Sequence, residues 1–292
     1  MIIVNSGGAL NSLAIISKKF KPDALQAGRD LATWFESRGL AAQHLENEPE
    51  PTILPLPPGT DFIVVMGGDG TILSVARHYG RLGIPILGVN LGGLGFLTEI
   101  SLDELYPTLE DYILPGKFEV EERMILSVSL IRGGETIWQE NVLNDAVINK
   151  GALARIAELS TWIDAENLTT YRADGLIVST PTGSTAYTLS AGGPIAYPTL
   201  RHIILLPICP HTLSNRPIIL PETVTVAVTL DEKVQDVYLT LDGQVGRAME
   251  PRDRLEVRAG PYNVKLVKSP RRSHFEILRT KLGWGELGGP CR

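Results

Sequence analysis

Near residue 117 the spacing of the apolar residues changes, and that change bounds what the chain can fold into. Before it, short apolar runs, "MIIV" (1–4), "DFIVVM" (61–66) and "IPILGVN" (84–90), alternate with segments whose apolar residues recur at helical spacing. Asp23 is expected to cap the first helix, with Gln26 completing a capping box. Ala24, Ala27, Leu31 and Trp34 line its apolar stripe and Gly39 ends it. A second helix is expected from Thr71 to about Arg81. After residue 117 the period falls to two. "ILSVSLIRGGETIWQ" (125–139) reads as a hairpin turning at Gly133 and Gly134, and "TVTVAVTL" (223–230) alternates along its length. The expected fold is an α/β N-terminal domain with a Rossmann-like parallel sheet over 1–116, followed by a β-rich, sandwich-like domain over 117–267. A C-terminal segment, 268–292, carries "HFEILRTKLGWG" back to the first domain.

A chain of 292 residues can bury two cores, and 43% apolar with 21% charged residues is ordinary for globular domains. No apolar stretch approaches the roughly 20 residues of a membrane-spanning helix, and "MIIVNSGGAL" lacks the features of a secretory signal, so a cytoplasmic location is expected. With 27 basic against 33 acidic residues, the net charge of −6 argues against sequence-independent nucleic-acid binding. The basic cluster "KSPRRSH" (268–274) reads first as a solvated turn and second as a contact to a ligand phosphate. Cys209 and Cys291 are too few for a disulfide framework or a zinc site.

Chemistry is concentrated in three places. "VVMGGDGTIL" (64–73) sets Asp69 among glycines at a strand end. Glycine adds nothing to a core and costs backbone entropy, so the turn suggests a close approach of the backbone to phosphate or sugar, with Asp69 aimed at it. Asp69 could orient a hydroxyl and take its proton late in a loose phosphoryl transfer. The second place is "NVLNDAVINK" (141–150), with Asn144 and Asp145 adjacent. In the third, "YRADGLIVSTPTGSTAY" (171–187), Arg172 and Asp174 precede a strand and Thr182, Ser184 and Thr185 follow it as a nest of donors for ribose and amide groups. A Walker A lysine, an HExxH zinc pair, a GxSxG elbow and a clean GxGxxG are all absent from the sequence.

Taken together, "GGDGT" (67–71), "GVNLGGLGFL" (88–97), "ND" (144–145), "DGLIVSTPTGSTAYTLSAGGPI" (174–195), "PHTLSNRPI" (210–218) and "LDGQ" (241–244) resemble the NAD kinases in content and order. GGDGT alone also resembles turns of diacylglycerol kinases, sphingosine kinases and phosphofructokinases; the 174–195 block is far more specific. The resemblance implies transfer of the ATP γ-phosphate, or a polyphosphate phosphoryl group, to the 2′-hydroxyl of the adenosine ribose of NAD, with Mg²⁺ or another divalent cation. It implies Asp69 as proton acceptor and, with Gly70, as part of the NAD site. It further implies NAD contacts from Asn144, Asp145, Arg155, Arg172, Asp174, the run Thr185, Ala186, Tyr187, Thr188, Leu189 and Ser190, and Gln244. Many relatives have Glu at the position of Asp145. Metal ligands are left unassigned, and the family implies a homodimer or homotetramer. A lipid kinase sharing the GGDGT turn and a non-catalytic NAD sensor on the same fold are the alternatives.

Overall fold

The computed structural model describes residues 10–47, 54–151, 156–212, 214–233 and 235–284. The expected strand "MIIV" lies outside them. The chain divides into two compact units, Met1–Glu122 with Lys265–Arg292, and Arg123–Val264.

The first unit is a parallel sheet covered by helices. Strands β1 (Ser12–Lys18), β2 (Ala41–Asn47), β3 (Phe62–Met66) and β4 (Ile86–Asn90) pair in the order β2-β1-β3-β4, all parallel. The end of the strand Arg254–Val267 adds to β4 through Leu266 and Ile86. All five residues of β3 are fully buried, as expected of a strand covered on both faces.

Helix α1 (Pro22–Glu36) buries Ala24, Gly28, Leu31 and Phe35, one stripe at helical spacing. Ala27 and Trp34, expected on that stripe, sit at its edge, half-buried against the same core. Leu31 is fully buried, so Leu31→Ala would cost about 2–5 kcal/mol. The expected capping box at Asp23 does not form. Lys21 is the N-cap without a side-chain bond, and the Gln26 amide donates to Asp30 at 2.8 Å instead. Pro22 decides the start, because its fixed φ and missing N–H suit the first helical position. The helix stops at Glu36 and Gly39 follows at φ +77°. Helix α2 spans Asp69–Tyr79 and passes into a short 3₁₀ turn, Gly80–Leu82, so it starts two residues before the expected position.

The second unit is a sandwich of antiparallel strands. One sheet runs Glu166–Ala173, Ala157–Ile163, Val226–Leu230 and then the first part of Arg254–Val267. Val120–Arg132 pairs with that last strand and forms the expected hairpin with Glu135–Val142 around Gly133 and Gly134. The other sheet has the order Ile218–Pro221, His202–Ile208, Gly175–Ser179, Asp145–Lys150, Val237–Leu241 and Val245–Met249. One core receives alternate residues from both, among them Leu126, Val128, Val226 and Leu255 from the first and Ile148, Val178, Leu205 and Leu239 from the second. The helix His274–Leu282 belongs to the first unit and opens with a capping box between Ser273 and Glu276.

Candidate functional site

In the first unit, the order β2-β1-β3-β4 reverses between β1 and β3, and open parallel sheets bind ligands at the carboxyl ends of strands beside such a reversal. The chain leaves β3 there through Gly67 and Gly68 and enters α2 at Asp69. The half-buried Asp69 carboxylate is already engaged. Its Oδ2 accepts from the Phe96 N–H at 2.9 Å, and its Oδ1 accepts from the Leu97 N–H and the Thr98 N–H, each at 3.1 Å, and from the Thr98 hydroxyl at 3.0 Å. A carboxylate offers about four lone-pair sites, two per oxygen, so Oδ1 is saturated and Oδ2 retains acceptor capacity.

Glycine is required at position 95, because a Cβ there would collide with Asp69 Oδ1 and Thr98 Oγ1; around Gly68 the space is open. The glycines therefore do two jobs. One lets a loop close onto the carboxylate, and the other leaves the strand end uncovered.

The segment behind this loop is braced. Glu99 accepts from the Ser269 N–H at 2.9 Å, while Arg272 donates to the Glu99 carbonyl at 3.0 Å and to both Glu104 oxygens at 2.6 Å. Arg272 holds the Glu104 carboxyl down at about 2. The "KSPRRSH" segment is thus no solvated turn at Arg272. It fixes the residue that follows Thr98.

In the second unit, register brings three separate motifs to one edge of one sheet. Asp145 pairs with Ser179 and Ala146 with Leu241, so Asn144–Asp145, the loop after Ser179 and the turn after Leu241 share that edge. The backbone of residues 143–145 is held from both sides. The Thr180 hydroxyl donates to the Leu143 carbonyl at 2.6 Å, and the Thr180 N–H and Ser179 hydroxyl donate to the Asn144 carbonyl at 2.8 and 3.1 Å. Asp242 accepts from the Leu143, Asn144 and Asp145 N–H groups at 3.2, 2.7 and 3.3 Å. Gly183 must lack a Cβ because the Asn144 carbonyl and the Ser179 hydroxyl occupy its place.

With the backbone consumed in this way, three side-chain acceptors remain buried without a partner: Asn144 Oδ1, Thr182 Oγ1 and Thr188 Oγ1. Buried polar groups in folded proteins are almost always paired, and these three orphans lie along two linked segments. Burial, and then the neighbouring Asp242 carboxylate, push the Asp145 carboxyl up to about 7.

Thr185 ends the 3₁₀ turn Thr182–Thr185, where its hydroxyl donates to the Thr182 carbonyl at 3.3 Å. Ala186 leads into a single helical turn, Tyr187–Ser190, in which Thr188 is fully buried, Leu189 half-buried and Tyr187 exposed. Gln244 is exposed just beyond the Asp242–Gly243 turn. Ser184 does not join the nest of donors, because its buried hydroxyl accepts from the Ala196 N–H at 3.0 Å. Arg172 and Asp174 lie elsewhere. They precede Gly175, at the opposite end of the strand Gly175–Ser179, where Arg172 pairs with Glu158 at 3.3 Å and Asp174 with Lys150 at 3.5 Å. The five-residue strand Gly175–Ser179 separates Asp174 from Thr180, six extended steps or roughly 20 Å. Arg155 lies outside the described residues.

Two family models match these two units: the ATP-NAD kinase N-terminal domain over residues 14–118 and the ATP-NAD kinase C-terminal domain over residues 143–269. The chain belongs to the NAD kinase family. It is 52% identical to the NAD kinase of Geobacter sulfurreducens over 284 residues, which is 95% of this chain and all of that protein. It is 49% identical to the NAD kinase of Syntrophobacter fumaroxidans over 283 residues, with the same coverage. Among solved structures, yeast NADH kinase complexed with NADH superposes with a TM-score of 0.83 at 26% identity, covering 97% of this chain and 90% of that one. An NAD kinase from Archaeoglobus fulgidus in complex with ATP gives 0.74 at 25% identity, covering 93% and 98%.

The sequence reading missed the loop donors Phe96, Leu97 and Thr98, the backbone clamp of Thr180, and Asp242. Only Asp242 carried a local signal, an Asp-Gly pair between alternating apolar runs, and that signal speaks of a turn rather than of a clamp.

Proposed function

We propose that this chain phosphorylates the 2′-hydroxyl of the adenosine ribose of NAD to give NADP, with ATP as donor, Asp69 as proton acceptor and the edge of the second unit as the nucleotide's seat. The observation that carries the seat is the set of orphaned buried acceptors, Asn144 Oδ1, Thr182 Oγ1 and Thr188 Oγ1. Hydroxyl and amino donors of a nucleoside would satisfy them, and an acyl chain would not. Asp69 retains acceptor capacity on Oδ2, enough to orient a ribose hydroxyl and receive its proton as the phosphoryl group arrives.

The family's use of a divalent cation fits this donor set. Among the described residues no group of three or more His, Cys, Asp or Glu side chains gathers at one point. A Mg²⁺ ion held chiefly by donor phosphates and water needs no such group. Polyphosphate is a second donor that the resemblance allows. Among the described residues no helix is long and apolar enough to cross a membrane. The reaction proposed is cytoplasmic, on small molecules, with no nucleic acid.

The separation of Asp174 and Arg172 from Asn144, at opposite ends of the strand Gly175–Ser179, favours a homo-oligomer. A dimer or tetramer that sets one copy's Asp174 end against another's Asn144 end brings both groups to a single nucleotide. Dilution should then raise the KM for NAD as assemblies dissociate.

The direct test incubates purified protein with NAD, ATP and Mg²⁺ and reads NADP with an NADP-specific dehydrogenase. NADP should accumulate, and its absence would refute the activity. Asp69→Asn should keep NAD binding while kcat falls roughly 10²–10⁴-fold. An unchanged kcat would remove Asp69 from the chemistry.

A further inference from the structure

We propose that Asp242 is a positioning residue for NAD: its carboxylate fixes the main chain of residues 143–145 so that the side chains of Asn144 and Asp145 meet the nucleotide in one geometry. This rests on the reading of Asn144 and Asp145 as NAD contacts.

The geometry is specific. Three consecutive N–H groups, of Leu143, Asn144 and Asp145, converge on one carboxylate, and the Asp242 N–H returns a bond to the Asp145 carbonyl at 2.9 Å. The remaining carbonyls, of Leu143 and Asn144, are taken by Thr180 and Ser179. The arch of residues 143–145 thus has no free backbone polar group with which to shift. Its side chains are what remain for a ligand, and Asn144 Oδ1 is buried without a partner.

The competing explanation is a simple hairpin. Asp242 and Gly243 have φ of +50° and +65° and form the tight turn between Val237–Leu241 and Val245–Met249. That turn needs two residues tolerant of positive φ, and Asn-Gly serves it at least as well as Asp-Gly. The turn therefore does not explain the carboxylate. Receiving three N–H groups does, because a carboxylate has two acceptor oxygens and an amide only one.

Electrostatics adds a second signature. Asp242 and Asp145 are both buried, and their neighbours in register at this edge, Ser179, Leu241 and Ala146, are neutral. Asp242 is thus the charge that faces Asp145, and together with burial it moves that carboxyl to about 7. Burial is the larger cause of that rise, and the Asp242 charge adds to it.

Asp242→Asn is the discriminating substitution, since it keeps the turn and the size. The expected result is a protein that still folds, with a melting temperature modestly below the parent's because one N–H loses its acceptor, and a KM for NAD raised about 10–100-fold, with the KM for ATP within about threefold. The inflection near pH 7 in kcat/KM for NAD should move part of the way to lower pH, because the charge that adds to the effect of burial on Asp145 is gone. Asp242→Glu should restore that inflection. An unchanged KM for NAD, or equal rises in both KM values with an unmoved inflection, would overturn the proposal and leave Asp242 a turn or folding residue. Asn144→Ala combined with Asp145→Asn separates the two levels: if that variant binds NAD like the parent, the underlying assignment fails and the proposal with it. Amide exchange in the parent gives a reading that needs no variant to fold. The Leu143, Asn144 and Asp145 amides should be strongly protected, and fast exchange there would also overturn the clamp.

Discussion

Asp69 in the first unit and Asp242 in the second use the same device on different problems. Each carboxylate accepts from three consecutive backbone N–H groups, those of residues 96–98 and of residues 143–145. Around Asp69 the gathered loop holds the carboxylate in place at the mouth of a strand end, with open space at Gly68 and acceptor capacity left on Oδ2. Around Asp242 the relation is reversed: the carboxylate is buried and the segment it gathers carries Asn144, whose side-chain oxygen is buried without a partner. A nest of amides can thus prepare an anion for chemistry, or an anion can prepare a strand entry for binding. The distinction predicts that damage in the first unit falls on kcat and damage in the second on KM for NAD.

The strongest test of that contrast adds one methyl to each nest. Gly95→Ala sets a Cβ against Asp69 Oδ1 and Thr98 Oγ1, so either the loop or the carboxylate must move. Displacement of a reacting group by about 1 Å costs on the order of 10²-fold in rate, and kcat should fall by that much while NAD still binds. Gly183→Ala presses instead on the Asn144 carbonyl, and should raise the KM for NAD about 10–100-fold with a smaller change in kcat. If both variants lost kcat alone, the division of labour between the two nests would be wrong.

Tyr187→Ala addresses the same seat from its rim. Tyr187 is 42% exposed on the single turn after the hydroxyl loop, so truncating its ring should leave the melting temperature unchanged. Stacking of a base on an aromatic ring is worth about 1–3 kcal/mol, a rise in the KM for NAD of roughly ten- to a hundredfold. A rise in the KM for ATP of the same size would move Tyr187 out of the NAD seat.

The second nest also gives stability a pH dependence. The Asp145 carboxyl is raised from 3.8 to about 7 in the folded chain, so the fold binds a proton that the unfolded chain has released. This contribution is fully present below about pH 4 and is lost as pH rises through about 7. The parent should melt at a higher temperature at pH 5.5 than at pH 8, and Asp145→Asn should reduce that difference. Equal slopes for parent and variant would show that Asp145 titrates normally.

Much of this arrangement was legible in the sequence because it is local. The apolar spacing announced β3, β4 and the hairpin at Gly133–Gly134, and the glycines around Asp69 announced a strand end left open at Gly68. What sequence could not show was which bonds the carboxylates make. The partners of Asp69 lie 27 to 29 residues away and those of Asp242 97 to 99 residues away, and their donors are backbone amides, which leave no trace in residue type. The start of α1 was misplaced for a related reason: Asp23 and Gln26 matched a cap by spacing, while Pro22 already fixed the first turn.

The smallest effect is the sharpest in sign. Thr182 is buried and its hydroxyl has no partner, so the folded protein bears the desolvation of that group without a bond in return. Valine has nearly the same shape and lacks the hydroxyl. Thr182→Val should therefore leave the empty protein as stable as the parent or more so, by up to about 1 kcal/mol. If the hydroxyl meets a donor or acceptor of the nucleotide, the same change weakens NAD binding by about 0.5–1.5 kcal/mol, roughly two- to tenfold in Kd. Stability and affinity would then move in opposite directions, a pattern that loss of packing cannot produce because it lowers both. Calorimetric binding of NAD beside a melting curve reads the two together. A variant that is less stable and binds NAD as tightly as the parent would return Thr182 to the core and leave the seat to Asn144 and Thr188.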